Sequence, residues 1–535
     1  MIRNSIALVV FLAIILSASC ARRGTIGGGL KDSLAPKLMS SLPRNMATNF
    51  NGNEIQLFFN EYVKLKDVTK QLVVSPPMNT APNISPQVAS KFLTIRIKDT
   101  LQPNTTYSFN FGDCIRDNNE ENVLSQFKFV FSTGATIDTL SVSGTIKDAL
   151  EKKPENFVSV MLYEINEKYN DSVIYKQKPR YVTNTLDSLK AWKIENVKAG
   201  KYALIALKDL NNNFKLDPKT EKIAFYKTTI DVPSVEQYEL SLFKEEPVFV
   251  PKKVFQASGN RAVFAHEGDA KGTKLVLKNG TQILKTIVTK FPEKDSLQVW
   301  FEKIKVDSLT LNVTNNKIVK NFNFKIKDQR KDTLSIQSNP IGTLSFRSDL
   351  ELKTSVPIVS FDKTKFLLLN KDSIAIKFDI QNDQFNQSLK IIFKKEENEK
   401  YKLKIAPLAM TDFLGNSNKK ELIFQLDTKS TTDYGNMNIT LVNYNKFPAI
   451  VELTDSQGKV IVSGYSEKSP KISFDLLEPV DNIFIRVIHD ANGNKKWDSG
   501  NVLLKLQPEA VYYYKTTTKI DIRANWDVMQ SVELD

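Results

Sequence analysis

The chain has 535 residues, and its 74 Lys and Arg exceed its 60 Asp and Glu by 14. That length is too great for one core and points to roughly three to five domains. A hydrophobic content of 41% and a mean hydropathy of −0.28 exclude a polytopic membrane protein and a disordered chain alike. The basic excess is diluted, with no dense basic block interleaved with aromatics, so nucleic acid is not an expected partner. An evenly solvated basic surface attracted to acidic polysaccharide or anionic headgroups is the plainer reading. The only histidines, His266 and His489, stand far apart, and no GxSxG, HExxH or phosphate-loop motif occurs. Paired carboxylates that meet only in space remain open to any sequence, but five small domains without a large catalytic one predict a protein that is not an enzyme.

At the amino terminus Arg3 precedes an apolar run, residues 6–16, of signal-peptide length and too short to cross a bilayer. It ends in Ser17, Ala18, Ser19 and Cys20. Small residues before a cysteine resemble the lipobox of Bacteroidota lipoproteins, which implies a signal peptide at 1–19 and a lipid on Cys20. Ser17 departs from the pattern, which favours Leu there; Leu16 lies one place early. The other reading is a secretory signal with an incidental cysteine. Residues 20–33 are basic and glycine-rich and read as a flexible tether. Arg22 and Arg23 stand where surface-exported relatives carry acidic residues. Ala21 after the cysteine suits the outer membrane, so an outer-membrane lipid anchor is expected with its leaflet undecided.

Beyond the tether the periodicity is two throughout, which predicts an all-β fold. In 34–135, Ile55, Leu57 and Phe59 alternate, as do Leu93, Ile95 and Ile97, and then Tyr107, Phe109 and Phe111. Phe127, Phe129 and Phe131 close the set. Pro36, Ser41-Leu42-Pro43, Phe58 to Glu61, the run LQPNTTY ending at Tyr107, and Phe131 to Gly134 resemble a bacterial Ig-like domain of the S-layer-protein (SbsA-type) family. The resemblance implies a structural or binding module. Residues 138–245 form a second unit in which Gly200-Lys201-Tyr202 precedes a central strand, an arrangement that resembles transthyretin-like or carboxypeptidase-regulatory-like sandwiches. PVFVPKK at 247–253 reads as a linker. Residues 254–338 are β-patterned without a family resemblance. At 341–430 the Ig-like pattern returns, with the run from Tyr401 matching that from Tyr107. Residues 433–535 repeat the second unit. The expected architecture is a tandem array of five Ig-like and transthyretin-like sandwiches.

The repeat is clearest in two loops, DLNNNFKLD at 209–217 and DANGNKKWD at 490–498, each following a strand-like run. Asp209, Asn211, Asn213 and Asp217 alternate oxygen-bearing side chains, as do Asp490, Asn492, Asn494 and Asp498, which is the spacing by which a loop wraps a hard cation. Ca²⁺ is the cofactor such loops would take. Gly493 can supply a positive φ, while the twelfth places, Thr220 and Asn501, lack the bidentate glutamate of an EF-hand. The same residue types make a hairpin turn. Phe214 and Trp497 are expected to anchor the loops, and His489 to lie on the strand face away from the core.

Asp followed by Ser or Thr and an aliphatic residue recurs at Asp32, Asp99, Asp138, Asp171, Asp187, Asp295, Asp307, Asp332 and Asp372. This resembles the acceptor pattern for O-glycan in exported Bacteroidota proteins, with Ser33, Thr139 and Ser296 among the acceptors; it is also ordinary turn chemistry. Cys114 is the one other cysteine, a small buried filler or a reactive thiol. Together these features lead to the expectation of a lipid-anchored binding component of the cell envelope with a protein partner, or else a carbohydrate-binding adhesin.

Overall fold

The computed structural model describes residues 32–186, 190–292 and 294–534. The signal peptide, Cys20, the tether up to residue 31 and the Asp187 acceptor pattern lie outside them. The fold is all-β, an array of Ig-like sandwiches. Helix is confined, among the described residues, to Val68–Gln71, Val173–Lys176 and two 3-10 turns. None is long and apolar enough to cross a membrane. The chain divides into two compact units. One holds the first sandwich through Leu140, with Tyr181–Leu186 and Glu195–Lys198; the other holds the rest.

In the first sandwich one sheet runs Leu38–Leu42, Glu54–Leu65, Ser90–Arg96, Asn83–Ser85, with Ile115–Asp117 also paired to Glu54–Leu65. The other runs Val73–Ser75, Thr106–Asn110, Lys128–Ser132. Because successive side chains in a strand point to opposite faces, Ile55, Leu57, Leu93, Ile95, Phe109, Phe129 and Phe131 meet between the sheets.

The fourth sandwich has the same connectivity. Ile336–Asn339, Leu350–Thr354, Ser388–Ile392 and Asp379–Asp383 form one sheet, Gly342–Thr343, Leu422–Asp427, Lys400–Ile405 and Phe366–Leu369 the other. Ile358–Phe361 pairs with Met410–Asp412 as Glu54–Leu65 does with Ile115–Asp117. The side-chain hydrogen bonds also coincide. Tyr107 Oη accepts from the Gln102 N–H at 2.9 Å, and Tyr401 Oη from Glu396 N–H at 2.7 Å. Thr133 Oγ1 accepts from Thr105 N–H and donates to the Gln102 carbonyl. Thr428 Oγ1 does the same with Glu399 and Glu396.

The second and fifth sandwiches form another matching pair. In the second, Gly200–Leu207 is flanked by Ser159–Glu164 on one side and by Ile223–Phe225 and Ile230–Val232 on the other. In the fifth, Val480–His489 is flanked by Ala449–Thr454, Val511–Tyr513 and Ile520–Ile522. In each the last strand runs parallel to the first: Gln237–Leu242 beside Leu140–Asp148, and Asp527–Glu533 beside Gly435–Val442. Gly200 lies within the central strand, where it pairs with Val232, and not in a preceding turn.

The third sandwich is antiparallel in both sheets, with strand orders Val250–Ser258, Arg261–Glu267, Ser296–Phe301, Thr286–Lys290 and Gln282–Ile283, Lys274–Asn279, Ser308–Asn315, Ile318–Lys325. It corrects two expectations. The linker expected at 247–253 is half strand, since pairing starts at Val250 and Phe249 sits in the core. Ile336–Asn339, most of it inside the third domain expected at 254–338, belongs to the fourth, where it pairs with Leu350–Thr354.

Candidate functional site

The two repeated loops superimpose in their hydrogen bonding. In the first, Asp209 Oδ1 accepts from Asn213 N–H at 3.2 Å and Oδ2 from Phe214 N–H at 2.7 Å. In the second, Asp490 Oδ1 accepts from Asn494 N–H at 3.1 Å and Oδ2 from Lys495 N–H at 2.8 Å. Asn211 and Asn492 each accept from the N–H two residues on, as do Asn213 and Asn494. The fourth place takes a left-handed conformation in both, Asn212 at φ 57° and Gly493 at φ 73°. Phe214 corresponds to Lys495, both at positive φ, so the counterpart of Trp497 is the buried Leu216 rather than Phe214. Trp497 is half-buried and donates from Nε1 to the Glu509 carbonyl.

Each loop is closed by a glutamate outside the expected set. Glu221, fully buried, accepts from Leu210 N–H at 2.9 Å and Asp217 N–H at 2.8 Å. Glu509 takes the corresponding pair, Ala491 N–H at 2.7 Å and Asp498 N–H at 3.1 Å. Burial pushes the Glu509 carboxyl above its usual range and the charges of Asp498 and Asp490 add to this, against the pull of the two N–H groups. In the second loop the amides of Asn492 and Asn494 point N–H toward Asp498 Oδ2, at 2.5 and 2.6 Å. This arrangement holds the Asp498 carboxylate in place. The residues expected to take Ca²⁺ thus gather in each loop with their oxygens engaged by N–H groups. Among the described residues no group of three or more His, Cys, Asp or Glu side chains is poised around a cation position.

Glu509 comes seven places later than Glu221 does in its loop because residues 499–508 stand where the first loop has only 218–220. That longer segment joins the fifth sandwich to the second. Glu245, buried at the end of the second sandwich, accepts from Val502 N–H at 2.6 Å and from Tyr175 Oη–H at 3.3 Å. Gln507 Nε2 donates to the Phe225 carbonyl at 2.8 Å, and Lys505 pairs with Asp171 at 3.2 Å. Gly500 is required by the approach, since a Cβ there would stand 2.6 Å from the Phe243 ring.

A second contact lies on the outer face of Val480–His489. Ile483, Ile485 and Val487 point to the core, and His489 shares their parity, contrary to the face expected for it. The opposite parity carries Arg486, only 4% exposed, whose guanidinium meets Glu452 at 2.7 Å and reaches the Leu150 carbonyl of the second sandwich. Tyr513 Oη donates to the same carbonyl at 3.0 Å. In the second sandwich the equivalent face is covered locally: Tyr163 Oη contacts the carbonyls of Gln177 and Phe214, both at 3.4 Å.

Elsewhere, His266 is held between Phe249 and Phe264, with Nδ1 3.0 Å from the Gly268 carbonyl. Cys114 is fully buried, and burial pushes its thiol up to about 12, which suits a filler and not a nucleophile. Trp192 and Trp300 are buried, while Trp526 is 55% exposed. Of the O-glycan acceptors, Ser33 and Thr139 are exposed and Ser296 is half-buried in a strand.

Residues 32–133 match the family model described as bacterial Ig-like domain. No curated protein matches the chain. Among solved structures, the S-layer protein rSbsC aligns at 11% identity over 91% of this chain and 66% of that one, with a TM-score of 0.15. Surface layer protein SbsC, domains 1-6, aligns at 10% over 93% and 68%, with the same TM-score. A titin A168169 structure aligns at 10% over 35% of this chain and all of that one, at 0.14. By family model and architecture together, the chain is an all-β array whose first sandwich matches the bacterial Ig-like domain family.

Proposed function

We propose that the chain is a non-enzymatic, modular lipoprotein of the bacterial outer membrane, held by a lipid on Cys20, that binds another protein of the cell envelope. The observation carrying this reading is the union of an apolar leader ending in Ser-Ala-Ser-Cys with five sandwiches that supply loops and strand edges. A partner in an outer-membrane assembly, secretion or uptake machine suits such a module, and exposed Thr139 suits O-glycan attachment. The test is fractionation of cells carrying the native chain or Cys20→Ala, followed by pull-down from solubilised outer membrane. The native chain is expected in the outer membrane with one or a few enriched proteins, and Cys20→Ala as an uncleaved or mislocalised precursor. A Cys20→Ala chain that matures and stays with the outer membrane overturns the anchor.

A second reading, a carbohydrate-binding adhesin, is favoured by one surface feature. Phe58 and Phe92 face each other across neighbouring strands of the first sandwich, 36% and 47% exposed, with ring centroids 6.4 Å apart. Exposed aromatic faces are what sugar rings stack on. Empty pull-downs combined with glycan-array binding that Phe58→Ala abolishes would select it.

A further inference from the structure

We propose that the cleft between the second and fifth sandwiches binds an anionic saccharide, a site independent of the lipid anchor. The cleft encloses about 800 Å³, within the range of ligand pockets, which form preferentially between domains. One wall is the turn 151–155 with Lys190 beside it; the other is the turn 454–458; Phe484 and Tyr513 lie between them. Its position is fixed by the contacts just described, the Leu150 carbonyl held by Arg486 and Tyr513, and Glu245 held by Val502.

The charge in the cleft is unbalanced in a specific way. Two of its three acids are already used. Glu155 pairs with Lys222 at 2.9 Å, and Lys222 also holds Asp148 at 2.7 Å. Asp455 closes its own turn by accepting from Gln457 and Lys459 N–H groups. The third, Glu151, lies against Gly458 with no ion-pair partner among the described residues, so it offsets one of the cleft's lysines. Lys152, Lys153 and Lys190 have no carboxylate partner among the described residues. Lys152 is nonetheless positioned, its ammonium 4.0 Å from the centre of the Phe484 ring. Thr454 adds an unanswered polar group: it is fully buried on the wall and its hydroxyl has no hydrogen-bond partner.

The cations are lysines from two segments, without the arginine forks or helix N-termini that gather a phosphate at one point. Separate point charges beside an apolar ring and an unsatisfied hydroxyl match a chain with a carboxylate on each sugar ring. The probe is an oligogalacturonate, titrated calorimetrically into the full chain against a neutral galactan oligomer of equal length. The acidic oligomer is expected to bind and the neutral one to bind at least ten-fold more weakly. Lys152→Ala, Lys153→Ala and Lys190→Ala combined should weaken the acidic oligomer ten-fold or more without changing the melting temperature. The same charge removed at exposed Lys305, Lys317 and Lys327 should leave it within two-fold. Absence of binding, equal binding of the neutral oligomer, or equal losses in the two triple variants would each overturn the proposal.

Discussion

Replacing Arg486 with alanine is expected to destabilise the fifth sandwich by about 3–5 kcal/mol, the cost typical of leaving one member of a buried ion pair alone. Arg486 and Glu452 meet at 2.7 Å with side-chain exposures of 4% and 13%, so neither charge is returned to water when the other is removed. The same guanidinium is bonded to Tyr513 and to the Leu150 carbonyl. Its loss therefore also loosens the contact with the second sandwich. The comparison that isolates the charge effect is Arg486→Met with Glu452→Leu. Removing both charges and keeping the volume is expected to restore most of the stability, because the desolvation cost disappears with them. That double variant still lacks the bond to Leu150, so protease cleavage near residue 150 should rise in both variants while only the single one melts early. Denaturant unfolding read on the fifth sandwich's own transition decides the matter, since a chain of several domains need not unfold in one step. A single variant within 1 kcal/mol of the native chain would show that the pair is not effectively buried.

The contrast between Arg486 and the rest of its strand shows what was readable in the sequence. Ile483, Ile485 and Val487 alternate with polar neighbours, and alternation states which side chains face a core. It cannot state what covers the other face. Arg486 reads as solvent-exposed and is buried because a carbonyl more than three hundred residues earlier packs on it. His489 was misplaced for a related reason: at a strand end only parity tells the face, and its parity is that of Val487. The all-β array was legible because each sandwich is built from local alternation; the match of first with fourth extends to single threonine and tyrosine hydroxyls, and that of second with fifth to the loop carboxylates. Phe249 was hidden by the prolines around it, which read as a linker although proline is accepted at the start of an edge strand. The closing glutamates were hidden by spacing. Glu221 follows Asp209 by 12 residues and Glu509 follows Asp490 by 19; only the fold shows that they make the same two bonds.

Glu221→Ala is accordingly expected to cost roughly 3 kcal/mol or more in the second sandwich. Each hydrogen bond to a charged group contributes about 1.5–3 kcal/mol, and Glu221 makes two, at 2.9 and 2.8 Å, from a fully buried position. Alanine leaves the N–H groups of Leu210 and Asp217 without that acceptor at both ends of the loop, together with a cavity. Glu221→Gln keeps the shape but offers one acceptor oxygen and a donor that faces an N–H, so it should recover only part of the loss. Glu509→Ala is expected to cost less, because burial and the neighbouring Asp490 and Asp498 already disfavour its ionised form. Calcium separates this account from a cation-organised loop. If the glutamates and backbone N–H groups close the loops, millimolar Ca²⁺ leaves the melting temperature of the native chain unchanged, and Asp490→Ala destabilises equally with and without it. A rise in melting temperature with Ca²⁺ that Asp490→Ala together with Asp498→Ala removes would mean that the oxygens turn inward around an ion, since a ligand bound only by the folded state stabilises it. The hydrogen-bond account would then fail for the second loop, whatever Glu221→Ala shows for the first.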